Sequence, residues 1–306
     1  MPLALLVFSL PVLAAPGTAS YKASSSTSAG QGNFSEGLSL SGDHPTSDAD
    51  DSGAVDWNAG YTYSKAPVGN DFNKTSDINL NVGFKKDWDF GGGFDYSSTP
   101  AESLSSVGPE GWVGYEFLLG GGAKDSFRPS IEPKFTYHGQ TYTQTFSGTT
   151  TRVGVRRTVT RPTTGSQAIR QNEYTLGIDL SPVELFSVHV AGSSYKYNKD
   201  VSSFIALLDS PRAVSRGAST FSTTLGGFPK SSAELGLSLF PWETWTFTLD
   251  FTRTKVQADG STSTSSKIEV EKELSKAVKL GLGFDHEKSE TQGEENLTIL
   301  DLAYSF

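Results

Sequence analysis

The sequence predicts an all-β protein with a single transmembrane barrel of antiparallel, up-and-down strands. Three observations predict it: runs of about ten residues alternate apolar and polar side chains, short and long connections alternate between the runs, and the polar face is rich in carboxylates. So many unpaired charges cannot fill a dry core. The polar face therefore meets either bulk water or a water-filled lumen, and the other observations favour the lumen.

Composition excludes several classes of protein. The 306-residue chain has no Cys, which excludes a disulfide framework and thiolate metal sites. Its formal net charge of −9 argues against nucleic acid as a partner, because phosphates need a basic surface. Beyond the N-terminal region no apolar run reaches the roughly 18 residues of a membrane-spanning helix. Aromatic residues make up 11% of the chain, as expected where rings lie at a membrane boundary.

The N-terminal region predicts an export signal followed by a flexible segment. Residues 3–13 are apolar and small residues follow them, so cleavage after Ala15 or Ala19 would satisfy the small-residue rule. We expect a signal peptide over 1–19. The Ser/Gly-rich segment 20–53 is predicted to be flexible, with at most one short strand at 34–40. The barrel is predicted to occupy residues 54–306.

Alternation within 54–306 predicts twelve strands. Each strand is expected to have the length that a tilted strand needs to cross a bilayer, about ten residues, with an alternating run inside it. The runs lie at 55–63, 78–84, 88–96, 113–119, 131–137, 174–180, 186–190, 233–239, 245–251, 268–270, 278–284 and 298–306. Fourteen strands are the alternative, obtained by adding 34–40 and 219–226. We favour twelve, because those two additions would invert the sidedness of most connections.

The connections predict the direction of the strands. Short turns are expected near 85–87, 120–126, 181–184, 240–244 and 275–276, and longer loops at 65–76, 97–110, 147–167, 197–232, 255–266 and 286–296. Outer-membrane barrels have short periplasmic turns and longer outer loops. Twelve strands place every short turn and both termini on the periplasmic side.

The last residues carry a resemblance to a known class. Leu302, Tyr304 and Phe306 share one face of the final run, with an aromatic third from the end and a terminal Phe. This pattern resembles the C-terminal assembly signal of Gram-negative outer-membrane β-barrels, although no specific family is matched. The resemblance implies a location in the bacterial outer membrane, contact with its lipids and lipopolysaccharide, and the barrel-assembly machinery as a partner.

The polar face predicts the lining of a pore. Acidic residues on this face far outnumber the lysines Lys85, Lys134 and Lys279. Glu269, Glu271 and Glu273 would form a ladder with steps of about 7 Å, which attracts cations. The predicted pore-lining residues are Glu116, Glu132, Lys134, Glu173, Asp179, Glu234, Asp250, Glu269, Glu271, Glu273 and Asp285.

The sequence contains little that predicts catalysis. It has no P-loop, no GxSxG and no EF-hand loop, and we expect no catalytic site, metal or cofactor. His138 and His189 are interpreted as polar lining residues. The outer-membrane phospholipases use a His-Ser pair adjacent in sequence. Here the nearest match is Ser187, two residues before His189.

These observations predict a porin-like channel for passive diffusion of small hydrophilic solutes, with a preference for cations. One alternative is a non-conducting structural or adhesion barrel that acts through its outer loops. Arg152, Arg156, Arg157 and Arg161 would then bind lipopolysaccharide phosphates or a partner, and the apolar stretch 201–208 would dock a partner or fold into the lumen. A lipid-modifying enzyme is the third possibility.

Overall fold

The computed structural model shows an all-β molecule and describes residues 17–28, 31–45, 54–68, 71–100, 104–120, 127–153, 158–201, 228–257, 260–290 and 293–305. The strands in this part of the chain are β1 (Gly17–Ser28), β2 (Gln31–Pro45), β3 (Ala54–Val68), β4 (Asp71–Lys85), β5 (Trp88–Thr99), β6 (Leu104–Tyr115), β7 (Phe117–Leu118), β8 (Ser130–Val153), β9 (Thr158–Val183), β10 (Phe186–Tyr197), β11 (Pro229–Trp242), β12 (Trp245–Val256), β13 (Thr262–Ser275), β14 (Val278–Ser289) and β15 (Gly293–Ser305).

The strands form one closed antiparallel barrel. Neighbours in sequence pair with each other, β1 pairs with β15, and β6 pairs with β8, so the ring has no open edge. The short β7 continues β6 after an interruption at Glu116 and also pairs with β8. The wall therefore contains fourteen strands. The predicted count of twelve is wrong, and the alternative count of fourteen is right.

The two additional strands are β1 and β2, which lie in the segment predicted to be flexible. Phe34–Leu40 belongs to β2, as the alternative count supposed, but the second added strand is β1; residues 219–226 lie outside the described part. Because both strands precede β3, the direction of every later strand is unchanged. Residues 1–16 of the predicted signal peptide also lie outside the described part, whereas 17–19 belong to β1.

The outer surface of the barrel is apolar. Large side chains at alternate positions are exposed, among them Leu80 at 51%, Leu176 at 63% and Leu282 at 57%. An apolar band of this size on a soluble protein would aggregate, whereas a transmembrane barrel presents such a band to lipid. No helix in the described ranges is long and apolar enough to cross a membrane. The fold thus confirms the predicted outer-membrane barrel, located in the bacterial outer membrane.

Aromatic side chains cluster where the strands meet the short turns. The Trp88 and Tyr115 rings lie 4.9 Å apart, and the Trp245 and Phe247 rings 6.1 Å apart. Lys272 Nζ lies 4.8 Å from the centre of the Trp245 ring, with its aliphatic stem on the apolar face. Rings and a lysine at this level mark one boundary of the bilayer.

The connections differ at the two ends of the barrel. Tight turns at 86–87, 184–185, 243–244 and 276–277 lie at one end, together with Gly17 and Ser305. At the other end most predicted loops are wrong, because the strands continue as hairpins: β3 and β4 pair up to Val68↔Asp71, and β8 and β9 up to Val153↔Thr158. Beyond the apolar band these strands are rich in Ser and Thr. The hydrophobic alternation therefore stops there, although the backbone pairing of the strands continues.

A topology test follows from this arrangement. Epitope tags placed within 147–167 or 197–232 are expected to be accessible to antibody on intact cells. Tags at 184–185 or 243–244 should be accessible only after the outer membrane is permeabilised, because those turns lie at the end with the chain termini. The reverse labelling pattern would show that the strand direction is wrong.

The closing strand gives a second test. Leu302 and Tyr304 are each 44% exposed on the outer face of β15 and pair with Tyr21 and Ala19 of β1. An Arg on the lipid face costs about 2–4 kcal/mol at mid-bilayer and about 0–1 kcal/mol at the interfaces. Leu302 lies three residues from the end of β15, so its cost falls between these limits, and Leu302→Arg should measurably reduce the heat-modifiable barrel recovered from outer membranes. Ala303→Ser, at the neighbouring inward position, is the matched control. Equal recovery of both variants would contradict a lipid-facing Leu302. Phe306 lies outside the described residues.

Candidate functional site: the polar inner wall

Contacts that skip a strand identify the inner face of the barrel. Lys134 Nζ on β8 lies 2.6 Å from Asp89 Oδ2 on β5, although β6 runs between them. The register places Gly114 of β6 directly between Asp89 and Lys134. Side chains converge in this way only on the concave face of a sheet, and Gly114 has no side chain to obstruct them. The inner wall therefore carries the polar alternation.

An ion-paired cluster lies on this wall near the short turns. Trp112 Nε1 donates a hydrogen bond of 2.8 Å to Asp89 Oδ1, and Lys134 Nζ is 5.6 Å from the centre of the Trp112 ring. The indole extends over Gly83, where an added Cβ would lie 2.9 Å from Trp112 Cζ2. Lys85 Nζ lies 3.6 Å from Glu132 Oε2 beside this cluster. Both lysines are thus held next to carboxylates.

A second cluster lies further from the short turns and joins β5, β8, β9 and β10. His138 Nε2 is 2.8 Å from Asp95 Oδ1, and its Nδ1 is 3.6 Å from Glu173 Oε2. The Tyr195 hydroxyl donates to Glu173 Oε1 at 2.9 Å, and Gln140 Nε2 donates to Asp95 Oδ2 at 3.0 Å. Four strands are therefore bound together through side chains that face the lumen.

A third group lies on β9–β12. His189 Nδ1 is 2.6 Å from Asp179 Oδ1. The register continues from His189 through Gly236 to Asp250, and a Cβ at Gly236 would lie 3.0 Å from Asp250 Oδ1. Glu234, one inward position away, is exposed to the lumen. This part of the wall is predominantly acidic.

The densest acidic group contains the predicted glutamate ladder. Carboxylate oxygens of Glu269, Glu271 and Asp301 lie within 4.8 Å of one another. Gly281 of β14 stands in register between Glu271 and Asp301 and leaves room for both side chains. Glu269, only 7% exposed, forms an ion pair with Lys267. Glu273 Oε1 is 2.7 Å from Lys279 Nζ, so lysines neutralise part of the ladder.

The structure places the predicted lining residues as follows. Asp285 accepts a hydrogen bond of 2.7 Å from Ser265 Oγ on the inner wall. On the same wall lie Glu132, Lys134, Glu173, Asp179, Glu234, Asp250, Glu269, Glu271, Glu273 and Asp285. Glu116 differs, because it interrupts the wall between β6 and β7, where its backbone N–H donates to Asp87 O at 2.8 Å. A strand break of this kind leaves no signal in the alternation.

Among the side chains that the structure describes, sequence reasoning missed the inward-facing Lys267 and several partners. Lys267 shares the inward face of β13 with Glu269 and Glu271, a placement that the alternation of β13 already indicated. Lys267 therefore joins the three lysines predicted on the polar face. The contacts of Asp89 with Trp112 depend on which strands are neighbours across β6, so no sequence spacing could predict them.

An apolar cluster covers the wall at the far end of β8–β10. Tyr142, Ile169, Tyr197, Val201 and Phe228 pack together, and the Tyr142 and Phe228 rings lie 6.0 Å apart. The Tyr197 hydroxyl donates to Pro229 O at 2.7 Å. Val201 lies near the start of the connection between β10 and β11, and Phe228 ends it. Both ends of the connection therefore pack against inward-facing side chains. Residues 202–227, including most of the apolar stretch 201–208, lie outside the described part.

The predicted arginine site falls on a hairpin that rises above the barrel. Among the described residues, the ladder of β6 with β8 ends at Leu104↔Gln144 and that of β10 with β9 at Tyr197↔Gln171, and beyond these points β8 and β9 form ladder pairs with each other. In this ribbon Arg152 is opposite Val159, and Arg161 is opposite Thr150. The two arginines are therefore diagonal neighbours in the backbone register. Arg156 and Arg157 lie outside the described residues.

Comparison with known proteins finds only distant structural similarity. No family model and no curated protein matches the chain. OccAB1 of Acinetobacter baumannii is 9% identical, with a TM-score of 0.49 over 96% of this chain and 97% of that one. The monoaromatic hydrocarbon channel CymD is 10% identical, with a TM-score of 0.49 over 95% and 88%. The KdgM porin, solved in complex with disordered oligogalacturonate, is 9% identical, with a TM-score of 0.42 over 94% and 99%. Likenesses this distant carry no argument about solutes, so function is argued from this chain's own residues.

Proposed function

We propose that this protein is an outer-membrane channel through which small hydrophilic solutes diffuse passively, with a preference for cations. The observation that carries the proposal is the pairing of the inner-wall lysines. Lys85, Lys134, Lys267 and Lys279 each lie beside a carboxylate, at Glu132, Asp89, Glu269 and Glu273 respectively. Further carboxylates, such as Glu234, Asp250 and Glu271, add negative charge that these lysines do not offset.

The electrostatic consequence is a negative lumen. Charges that line a water-filled passage act over a Debye length of about 10 Å at 0.1 M salt. The pore should therefore concentrate cations and repel anions, most strongly at low ionic strength. In a barrel embedded in lipid, water is the only environment that can solvate a wall this polar, so the lumen is expected to be filled with water.

Planar-bilayer recording tests the proposal. We expect discrete open-channel steps and, in a KCl gradient, a reversal potential displaced toward that of K⁺. The displacement should shrink as the mean salt concentration rises, because screening shortens the reach of the wall charges. A silent bilayer would exclude a channel, and a reversal potential displaced toward Cl⁻ would exclude cation preference.

The β8–β9 ribbon supports a second role at the cell surface. Arg152 and Arg161 lie on a paired hairpin that extends beyond the neighbouring strands. We propose that these two arginines, with Arg156 and Arg157, bind lipopolysaccharide phosphates by charge-assisted hydrogen bonds. Substitution of all four by Gln should weaken binding of purified lipopolysaccharide and leave conductance unchanged. For the lipid-modifying enzyme no supporting contact is found in the described part, where His189 faces the lumen and bonds Asp179.

Export and assembly complete the proposal. We propose that a signal peptide directs the chain to the periplasm and that the barrel-assembly machinery inserts it through the β15 pattern of Leu302, Tyr304 and Phe306. Cleavage after Ala15 would keep Thr18 and Ala19, which pair with Ser305 and Tyr304 of β15, and cleavage after Ala19 would remove both. Mass spectrometry of the mature protein distinguishes a chain that begins at Pro16 from one that begins at Ser20. A start at Ser20 would show that these two pairs are dispensable.

A further inference from the structure

The outer surface of β9–β12 carries a group of cations at the end of the barrel away from the short turns. By alternation with their lipid-facing neighbours they point outward, and all four are exposed: Arg170 of β9, Lys196 of β10, and Arg253 and Lys255 of β12. The acidic residues of the same four strands all fall on the inward face: Glu173, Asp179, Glu234 and Asp250. The outer face of these strands is therefore positive at this end.

These cations lie at the level of the outer membrane boundary. Lys196 is ten residues from Phe186, where β10 begins, and Lys255 is ten residues from Trp245, where β12 begins. Both strands begin beside the short turns. Ten residues of a strand tilted by about 40° rise about 26 Å, and the apolar band of such a barrel is about 25 Å tall. The cations thus face the headgroups of the outer leaflet.

Tyrosines hold two of the cations against the barrel surface. Arg170 Nη2 donates a hydrogen bond of 3.2 Å to the Tyr137 hydroxyl, and Lys196 Nζ lies 5.6 Å from the centre of the Tyr174 ring. The Tyr137 and Tyr174 rings are themselves 5.6 Å apart. Tyrosines of this kind belong to the boundary between lipid and water. Both positive charges are therefore directed along the wall at headgroup level.

The four cations form two pairs with a low surface between them. Lys196 pairs with Asn172, so Arg170 is its diagonal neighbour at about 8 Å, and Arg253 and Lys255 are about 7 Å apart along β12. The outward residues between the pairs are small and pair across β10 and β11 as Gly192↔Ala233 and Ser194↔Ser231. No large side chain on these positions separates one cation pair from the other.

We propose that this surface binds the phosphorylated headgroup of an outer-leaflet glycolipid, namely the lipid A part of lipopolysaccharide. Guanidinium and ammonium groups bind phosphate oxygens through charge-assisted hydrogen bonds. A headgroup with two phosphates on a disaccharide can contact both cation pairs at once, whereas a phospholipid with one phosphate can contact a single pair. The inference goes beyond the proposed channel, since it needs no open lumen. It also differs from the proposed role of the β8–β9 ribbon, because it places the lipid against the barrel wall.

Native mass spectrometry of the delipidated full chain in detergent tests this inference. The probes are diphosphorylated lipid A, dephosphorylated lipid A and phosphatidylglycerol, and we expect the parent to bind the first most tightly. Arg170→Gln, Lys196→Gln, Arg253→Gln and Lys255→Gln together should raise the Kd for lipid A about tenfold, because exposed charge pairs are individually weak. If this fourfold variant does not fold, the two double variants, one for each cation pair, should each raise the Kd.

Three controls make the result specific. Lys272→Gln removes an outward cation at the opposite boundary and should leave the Kd unchanged. Gly192→Leu keeps all four cations but raises the surface between them, and its Cβ would have Ser232 O at 3.9 Å as the nearest atom, so it should fold and bind lipid A more weakly. Gly111→Leu on β6, where the nearest atom to the Cβ would be Gly91 O at 3.6 Å, should bind like the parent.

Several outcomes would overturn the inference. An equal Kd in the parent and the fourfold variant would show that these cations do not bind the headgroup. Equal binding of lipid A and phosphatidylglycerol by the parent would show attraction to any anionic lipid. Loss of lipid A binding in the variant without the four ribbon arginines, but not in the fourfold variant, would assign the lipid to the ribbon. None of these outcomes changes the expected conductance, so the channel function is tested separately.

Discussion

Replacement of Glu269, Glu271 and Glu273 by Gln is expected to remove most of the cation preference of the channel. The change subtracts three negative charges from β13 and leaves Lys267 and Lys279 without the carboxylates that they contact. Unit charges about 7 Å apart in water interact by roughly 0.6 kcal/mol, so together these changes should lower the K⁺/Cl⁻ permeability ratio about fivefold or more. Reversal potentials in a KCl gradient at low ionic strength give the measurement.

Two further variants make the selectivity result specific. Lys272→Gln changes a charge on the same strand, but Lys272 lies on the outer face over Trp245, so the permeability ratio should not change. Lys267→Met with Lys279→Met should raise the ratio, because it removes the cations that offset the ladder. An unchanged ratio in the triple glutamine variant would show that these carboxylates do not line the conducting path.

Most of the barrel wall could be predicted from the sequence, because lipid imposes a strict period of two. Runs such as 78–84 and 245–251 alternate large apolar residues with polar ones. In the structure these runs lie in strands β4 and β12. The lipid-facing positions need a large apolar side chain whichever strands are neighbours. Pattern alone therefore identifies these strands and their faces.

β1 and β2 could not be predicted in the same way. Outward positions of β1 include Ala19, Tyr21 and Ala23, and the positions between them are Ser or Lys. Small side chains on both faces give little hydrophobic contrast, and the composition resembles that of a flexible segment. These strands are fixed by backbone pairing with β15 and β3, which is a property of the closed ring rather than of their own sequence.

The candidate site, too, could be predicted only in part from the sequence. Which carboxylates share a face follows from alternation, and the structure brings Glu269 and Glu271 of the β13 ladder together with Asp301. Which of them are neutralised does not, because Lys134 reaches Asp89 over Gly114 and two strand boundaries. The number of carboxylates that remain unpaired along the wall thus depends on contacts between strands that are distant in sequence.

Deletion of residues 17–45 is expected to abolish the folded barrel almost completely. Removal of β1 and β2 leaves β3 and β15 as unpaired edges. Strand direction would still allow β3 to pair with β15 in a ring of twelve. Such a ring would need stronger curvature at every strand, and contacts such as His138–Asp95 and Lys134–Asp89 would be displaced. Heat-modifiable migration and protease resistance of outer-membrane fractions give the measurement, and removal of 146–165 from the β8–β9 ribbon is the control that should fold.

A disulfide tests the same closure directly, since the chain has no Cys. Ser20 of β1 pairs with Ala303 of β15 on the inner wall, and directly opposed Cβ atoms lie about 4.5–5.5 Å apart. Ser20→Cys with Ala303→Cys should cross-link under mild oxidation into a species that migrates faster on denaturing gels. Ser39→Cys with Ala303→Cys should not, because Ser39 is one strand further away, at about 10 Å. No cross-link in the first pair would contradict the pairing of β1 with β15 and with it the ring of fourteen, whereas normal folding of the deletion variant would show that twelve strands are enough to close a barrel.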